Sequence, residues 1–395
     1  MKIRNIFGLI AAFALAAFVA CENSDGGTDT GSFHEETPIV HNHTWSEWED
    51  WEPEYEDGGS GRIISCTDSE CGAIKDSELT GGGGVWLTFT KINDDTEYRV
   101  SKVSADLPFG IVIIPARYRD TDEDDFLPVT DISNGASNTT ANNAFGGNNA
   151  ANAAKVFAVA IPATVKTIAA YAFYNCPLQD ISFAPDSSLE SIGATAFRNC
   201  SSLTVIAIPE GVTSMGNGAF QNCTGLTDVI IPESLTTIPS SLFNGCTALT
   251  EVVFPSSVTV IGSSVFQNCT GLISVTIPES ITTIPYGLFD SCTNLVGVTI
   301  PDGVTSIAGS VFRNTGITGI TIPANVTSID DQAFYGCTKL EVITCLAETP
   351  PTLEGQNVFF NVYDYMVIKV PAASVAAYKA APLWKLEADF ISAIE

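Results

Sequence analysis

A repeat of about 23 residues, present in eight copies, constrains this chain more than any other feature. Phe173, Phe197, Phe220, Phe243, Phe266, Phe289, Phe312 and Phe334 recur at intervals of 22 to 24 residues. Pro162, Pro185, Pro209, Pro232, Pro255, Pro278, Pro301 and Pro323 keep the same beat. Cys176, Cys200, Cys223, Cys246, Cys269, Cys292 and Cys337 each follow a Phe by three positions. The unit reads Cys-x-x-Leu-x-x-Val-x-Ile-Pro-x-x-Val-Thr-x-Ile-x-x-x-Ala-Phe-x-x-Cys, as from Cys200 to Cys223. Landmarks held in phase over this many copies define a repeat architecture, one supersecondary unit per copy. A longer period overlies it. Gln221 to Leu226 returns unchanged as Gln267 to Leu272, and Ile238-Pro239 as Ile284-Pro285, each 46 residues on, so the array grew by copying pairs of units.

Each landmark has a physical reason. Leu226, Val229 and Ile231 alternate as a short inward-facing strand should, and β-branched residues suit a pleat. Pro232 ends the strand because it has no N–H for a ladder. Val212-Thr213-Ser214-Met215 forms a second extended stretch, and Ala-Phe-x-x-Cys turns the chain back with an aromatic plug. A single such turn leaves its apolar side bare, so only stacking buries it. The expected fold is therefore a mostly β repeat solenoid. Eight stacked coils, seven steps of about 4.8 Å, make a rod about 34 Å long. The repeat Cys form one rung per coil with parallel Cβ vectors, and Thr315 stands in the vacant rung. They read as buried thiols, not as halves of disulfides.

This pattern closely resembles the BspA-like, or treponemal-type, leucine-rich repeats of bacterial surface proteins, over about Ile161 to Leu340. The flanks match as well. Tyr98-Arg99-Val100 through Ile113-Ile114-Pro115 and Leu127 to Ile132 look like the family's degenerate first coil. Thr349-Pro350-Pro351 and Val370 to Lys379 resemble its closing segment. The departures are Thr315 in place of a Cys and two inserted stretches, 117–126 and 133–155. The second of these, Asn/Ala/Gly-rich and almost uncharged, reads as a surface insertion. The resemblance implies a cell-surface protein that binds host or bacterial proteins, as the adhesins among its relatives do, and implies no enzyme. The expected organisation is a signal at 1–20, a tether at 21–61, a small Cys-containing module with a Gly linker at 62–84, a degenerate N-terminal repeat at 85–160, the solenoid at 161–345 and a cap at 346–395.

The N-terminus reads as a targeting segment. Lys2 and Arg4 precede an apolar run from Ile6 to Val19, which as a helix rises only about 21 Å, short of a bilayer core of about 30 Å. Basic, apolar and small-residue regions in that order are a secretory signal. Cys21, directly after Ala20, resembles the lipidated residue of a bacterial lipobox, with Phe18 in place of the usual Leu. The resemblance implies diacylglyceration of that thiol and a stable anchor, and the expected location is the outer membrane, facing outward. Glu22 to Gly61 holds twelve acidic residues and no Lys or Arg, the composition of a tether. His43, Trp45, Trp48 and the pair Cys66 and Cys71, followed by Gly72, resemble a small surface-protein module. His41, His43, Cys66 and Cys71 could hold zinc tetrahedrally, but four residues separate the two Cys in place of the two of a usual knuckle. A short-loop disulfide or two plain thiols is the favoured reading, and no metal or cofactor is assigned.

Composition closes off other functions. With 45 acidic and 17 basic residues the net charge is −28, which repels a nucleic-acid partner. Only 16% of residues are charged, which predicts a large interior under a Ser/Thr/Asn-rich skin. The only His are His34, His41 and His43, all in the tether, so the solenoid has no imidazole for a Ser-His or Cys-His pair. Gly81 to Gly84 lacks the Lys and Ser/Thr of a phosphate loop. Asp120, Asp122, Asp124 and Asp131 imitate a calcium loop without its sharp-turn Gly, and read as a solvated acidic loop.

Outward positions of the main strands remain for binding. Ser182, Ala207, Ile230, Val253, Thr276, Thr299, Thr321 and Thr344 form one row; Asp180, Asp228, Glu251, Ser274, Gly297 and Gly319 form the next. The face grades from acidic and apolar to Thr and Gly. Asp228, Ile230, Glu251, Val253, Ser274 and Thr276 are the expected partner-binding residues, since a solenoid offers a flat, rigid surface to a protein. The alternative expectation is a structural or immune-evasive coat without a specific ligand.

Overall fold

The computed structural model describes residues 49–51, 61–65, 74–80, 87–103, 110–119, 127–133, 145 and 156–394. The signal, Cys21, most of the tether, His41, His43, Cys66, Cys71, Gly81 to Gly84 and Asp120 to Asp125 lie outside the described residues. Among those described, no helix is long and apolar enough to cross a membrane.

The chain winds into a β-solenoid of about ten coils of roughly 23 residues. The main strands stack in parallel. Gly110–Ile113, Val156–Ile161 and Asp180–Phe183 form one sheet; Val205–Ala207 and Asp228–Ile230 a second; Glu251–Val253, Ser274–Thr276 and Gly297–Thr299 a third. A fourth contains Gly319–Ile322, Val342–Cys345, Val367–Val370 and Ile391–Ala393. A second side carries two- and three-residue strands such as Ser191–Ile192, Thr283–Ile284 and Ser306–Ile307, also parallel. At the start, Leu87–Ile92 and Glu97–Val103 pair as an antiparallel hairpin, and the latter joins Leu127–Ile132 in parallel. Asp131 there accepts from Arg99 Nε at 2.8 Å and belongs to a strand, a structural ion pair.

One detail departs from the sequence expectation. The strand proper is three residues long, and between Leu226 and Val229 the chain exposes two successive residues, Thr227 and Asp228. Leu226 therefore packs inward from the turn before the strand, outside its alternation.

The third side holds the core together. Phe173 through Phe334 are wholly buried, their rings parallel within 18° and stacked 5.1 to 6.0 Å apart. The backbone N–H of each Phe donates to the next coil, as Phe243 does to Val265 O at 3.1 Å. The positions two before and two after the Phe do the same: Ser241 donates to Ser263 O and Gly245 to Gln267 O. These flanking residues have positive φ in coil after coil, including Asn175, Asn199, Asn222, Ser241, Ser264, Asn268 and Asn314. Asn tolerates the left-handed region best among residues with a side chain, which explains the Asn-Cys pair of the repeat.

The stack is longer than eight rings. Phe145 lies 4.9 Å from Phe173, is buried, and donates its N–H to Ala172 O at 2.9 Å. Phe145 falls inside the stretch read from sequence as a surface insertion; at least here it is core. An irregular interval of 28 residues hid Ala144-Phe145 from the period. At the other end Phe359 stacks on Phe334 at 5.7 Å and meets Trp384 of the cap. There, the helix Val375–Ala380 buries Tyr378, whose hydroxyl donates to Ala347 O at 2.8 Å, and Trp384 Nε1 donates to Pro351 O at 2.7 Å. The cap thus covers the last aromatic face while satisfying its own polar atoms.

The Cys rungs are free thiols, all buried. Cys246 Sγ donates to Phe220 O at 3.2 Å and Cys269 Sγ to Phe243 O at 3.1 Å, the Phe of the preceding coil each time. Thr315 occupies its rung differently, donating to Phe312 O of its own coil at 2.8 Å and lying 3.3 Å from Cys337 Sγ. The low charge of the skin also has a cause. Ser and Thr hydroxyls reach back one coil to corner carbonyls, as Ser257 does to Leu235 O at 3.0 Å and Thr305 to Thr282 O at 3.2 Å. A long charged side chain could not make that short bond.

Candidate protein-binding face

The main strands set the site by alternation. Val252 and Val275 point inward and are buried, so Glu251, Val253, Ser274 and Thr276 face out. Register aligns them: Glu251 with Ser274 with Gly297, and Val253 with Thr276 with Thr299. Asp228 and Ile230 occupy the same outward places one coil earlier, paired with Val205 and Ala207. The strands of Ile230 and Val253 are neighbours in the stack but belong to separate sheets. Ile230 is 48% exposed and Val253 is 71% exposed, large values for aliphatic side chains on a rigid strand. Asp228 is steadied by the Thr227 hydroxyl at 2.6 Å from its Oδ2. Asp180, placed in the same row from sequence, is half-buried, and burial pushes its carboxyl above the ordinary range.

Sequence reasoning missed part of this face. Ile273 is 50% exposed and Val296 is 48% exposed, one and two coils beyond Val253. Both precede a main strand by one residue, at the first of the two outward positions in Leu-x-x-Val. The signal was present in those two unconstrained positions, but an assumed strict alternation concealed it. The apolar character therefore does not fade at Thr276 as expected; it continues to Val296 on a parallel row. Beside it Gly297 is open, with nothing within 4 Å of where a Cβ would sit.

The rest of the coil offers little chemistry. Desolvation raises the repeat thiols, Cys223 and Cys269 to about 12 and Cys337 to about 11, so they stay protonated and inert. No group of three or more His, Cys, Asp or Glu able to hold a metal occurs among the described residues.

Parallel strands on two sides, stacked Phe rings and left-handed turns on the third, and an aromatic cap define a leucine-rich repeat solenoid, a scaffold class that is generally non-enzymatic. The chain belongs to the BspA type leucine rich repeat family of bacterial surface proteins, whose six-copy model matches residues 141–273, 216–341 and 260–375, together more than half its length. Comparison with curated proteins finds no match. Among solved structures it is similar to a leucine rich cell surface protein of Faecalibacterium prausnitzii, at 25% identity over 72% of this chain and 92% of that one, with a TM-score of 0.41. It is similar to a leucine-rich repeat protein of T. pallidum, at 26% identity over 58% of this chain and 86% of that one, TM-score 0.39. The pneumococcal vaccine antigen PcpA matches at 16% identity over 78% of this chain and 95% of that one, TM-score 0.45.

Proposed function

We propose that this protein is a lipid-anchored adhesin or protein-binding module on the bacterial surface. Acylated Cys21 holds it in the outer membrane, the acidic tether lifts it outward, and the main-strand face takes a host or bacterial protein. One observation carries the reading: Ile230 and Val253 stand exposed beside Asp228 and Glu251 on adjacent rungs of the stacked main-strand face. Apolar side chains edged by polar groups are the anatomy of an interface core and its rim. Family membership supports the surface setting. The test is twofold. Protease added to intact cells should remove the solenoid, and the protein should bind a defined member of a panel of host matrix and bacterial surface proteins saturably. Protection from protease would refute surface display. Absence of saturable binding across the panel would favour a coat protein with no specific ligand.

A further inference from the structure

Between Arg198 and Arg313 the sequence contains no Lys, Arg or His, while Glu210, Asp228, Glu233, Glu251, Glu279, Asp290 and Asp302 all fall in that interval. The two bounding Arg are turned to the third side, over Tyr174 at 6.0 Å and over Tyr335 at 5.7 Å. Among the described main-strand residues from Val156 to Ala393, Lys369 is the one cation. The carboxylates that face out form two rows. Asp228 and Glu251 lie two residues before the exposed Ile230 and Val253. Glu210, Glu233, Glu279 and Asp302 each follow the strand-ending Pro, and all four are exposed. Ser256 donates to Glu233 Oε2 at 3.2 Å, so that row runs along the corner from one coil to the next. Ile230 thus sits between Asp228 on one side and Glu233 on the other.

We infer that the partner segment this face takes is a basic one with apolar side chains, a Lys/Arg-bearing stretch of protein lying along the solenoid axis across Ile230 and Val253. The inference rests on the proposed binding role of the face and adds the chemistry of its occupant. Among the described residues no cation forms an ion pair with these rows, so a basic segment meets a field of one sign, which speeds encounter and selects among partners. Arg and Lys suit both halves of the surface. Their alkyl stems cover apolar groups while the charged heads reach carboxylates, and Arg pairs with carboxylate in two parallel hydrogen bonds. Five coils at about 4.8 Å per step give the rows a length of about 20 Å, the span of about six residues of extended chain. An acidic or nucleic-acid partner would be repelled from the same place.

The experiment titrates the full chain with a fluorescent twelve-residue peptide of alternating Lys and Val, read by anisotropy at 20 and 200 mM NaCl, with an alternating Glu and Val peptide as control. The expected result is saturable binding of the Lys/Val peptide alone, weakened at least tenfold by the higher salt, since screening shortens the reach of exposed charges. A variant combining D228N, E233Q and E251Q should lose at least tenfold in affinity. A variant combining E348Q, E354Q and D364N, with the same change in net charge elsewhere, should lose less than twofold. Equal losses from both sets would reduce the effect to overall charge and overturn the inference, as would binding of the Glu/Val peptide or no binding of the Lys/Val peptide. Replacing Ile230 and Val253 together by Ser separates the two levels. If, for a protein ligand found in the panel above, this pair abolishes binding while the three neutralisations do not, the face binds but its partner is not basic. If neither variant affects that ligand, the face itself is the wrong site.

Discussion

Phe266 is buried to the last atom between Phe243 and Phe289, at ring distances of 6.0 and 5.9 Å. Truncating it removes the ring's burial and breaks the stack at mid-array, where neighbouring coils cannot collapse into the gap. Phe266→Ala should cost about 3–5 kcal/mol, measured by urea unfolding. A loss below about 1 kcal/mol would mean the ring is not core. The thiols make a second residue-scale prediction. Cys223 and Cys269 titrate near 12 in the folded protein against an ordinary value of 9.0, because burial disfavours the thiolate. A raised folded value means the native state keeps protons that the unfolded chain gives up. This part of the stability is present in full below about pH 9 and is lost as pH rises toward 12. The urea midpoint should fall between pH 8 and pH 10.5, and a variant with Cys223→Ala and Cys269→Ala should show a shallower fall from its own lower starting point. An unchanged slope would contradict the burial account.

At the scale of the element, the third side shows what a repeat demands of its turns. Gly245 has φ of +77°, and a Cβ there would lie 2.2 Å from Asn222 Oδ1 of the preceding coil. Both strain and collision oppose a side chain. Gly245→Ala should destabilise by about 1–3 kcal/mol. Gly297 is the contrast, open on the strand face, and Gly297→Ala should change stability by no more than about 0.5 kcal/mol, or raise it slightly by stiffening the unfolded chain. Thermal unfolding of the two variants side by side checks the pair; equal losses would mean that turn geometry does not matter. The same scale shows why some elements were legible and others were not. Phe, Pro and Cys are each fixed by one constraint repeated in every coil, so their period stands out. Phe145 and Phe359 obey the same constraint at irregular intervals, where loops of different length adjoin the ends of the array. The strand face was legible in its second outward row, because Val and Ile alternate about it. Ile273 and Val296 were not, because the turn before the strand exposes two residues in succession.

For the whole molecule, two claims reach beyond the fold. The first is the anchor. Acylation needs the Cys21 thiol, so Cys21→Ala should move the protein from the detergent phase to the aqueous phase while its circular dichroism stays the same. Continued partition into detergent would remove the lipoprotein reading. The second is that a rigid, stacked array presents one binding face, and this is the centre of the account. Coils contact mainly their neighbours, so an outward substitution on one rung leaves the others standing. The most direct measurement compares two double variants for binding to a protein ligand from the matrix and bacterial panel, with thermal unfolding run in parallel. Replacing Ile230 and Val253 by Lys should abolish binding without lowering the melting temperature by more than a few degrees. Replacing Thr299 and Thr321 by Lys should reduce binding far less. Equal losses from the two pairs, or undiminished binding by the first, would contradict the claim that recognition is centred on these two rungs.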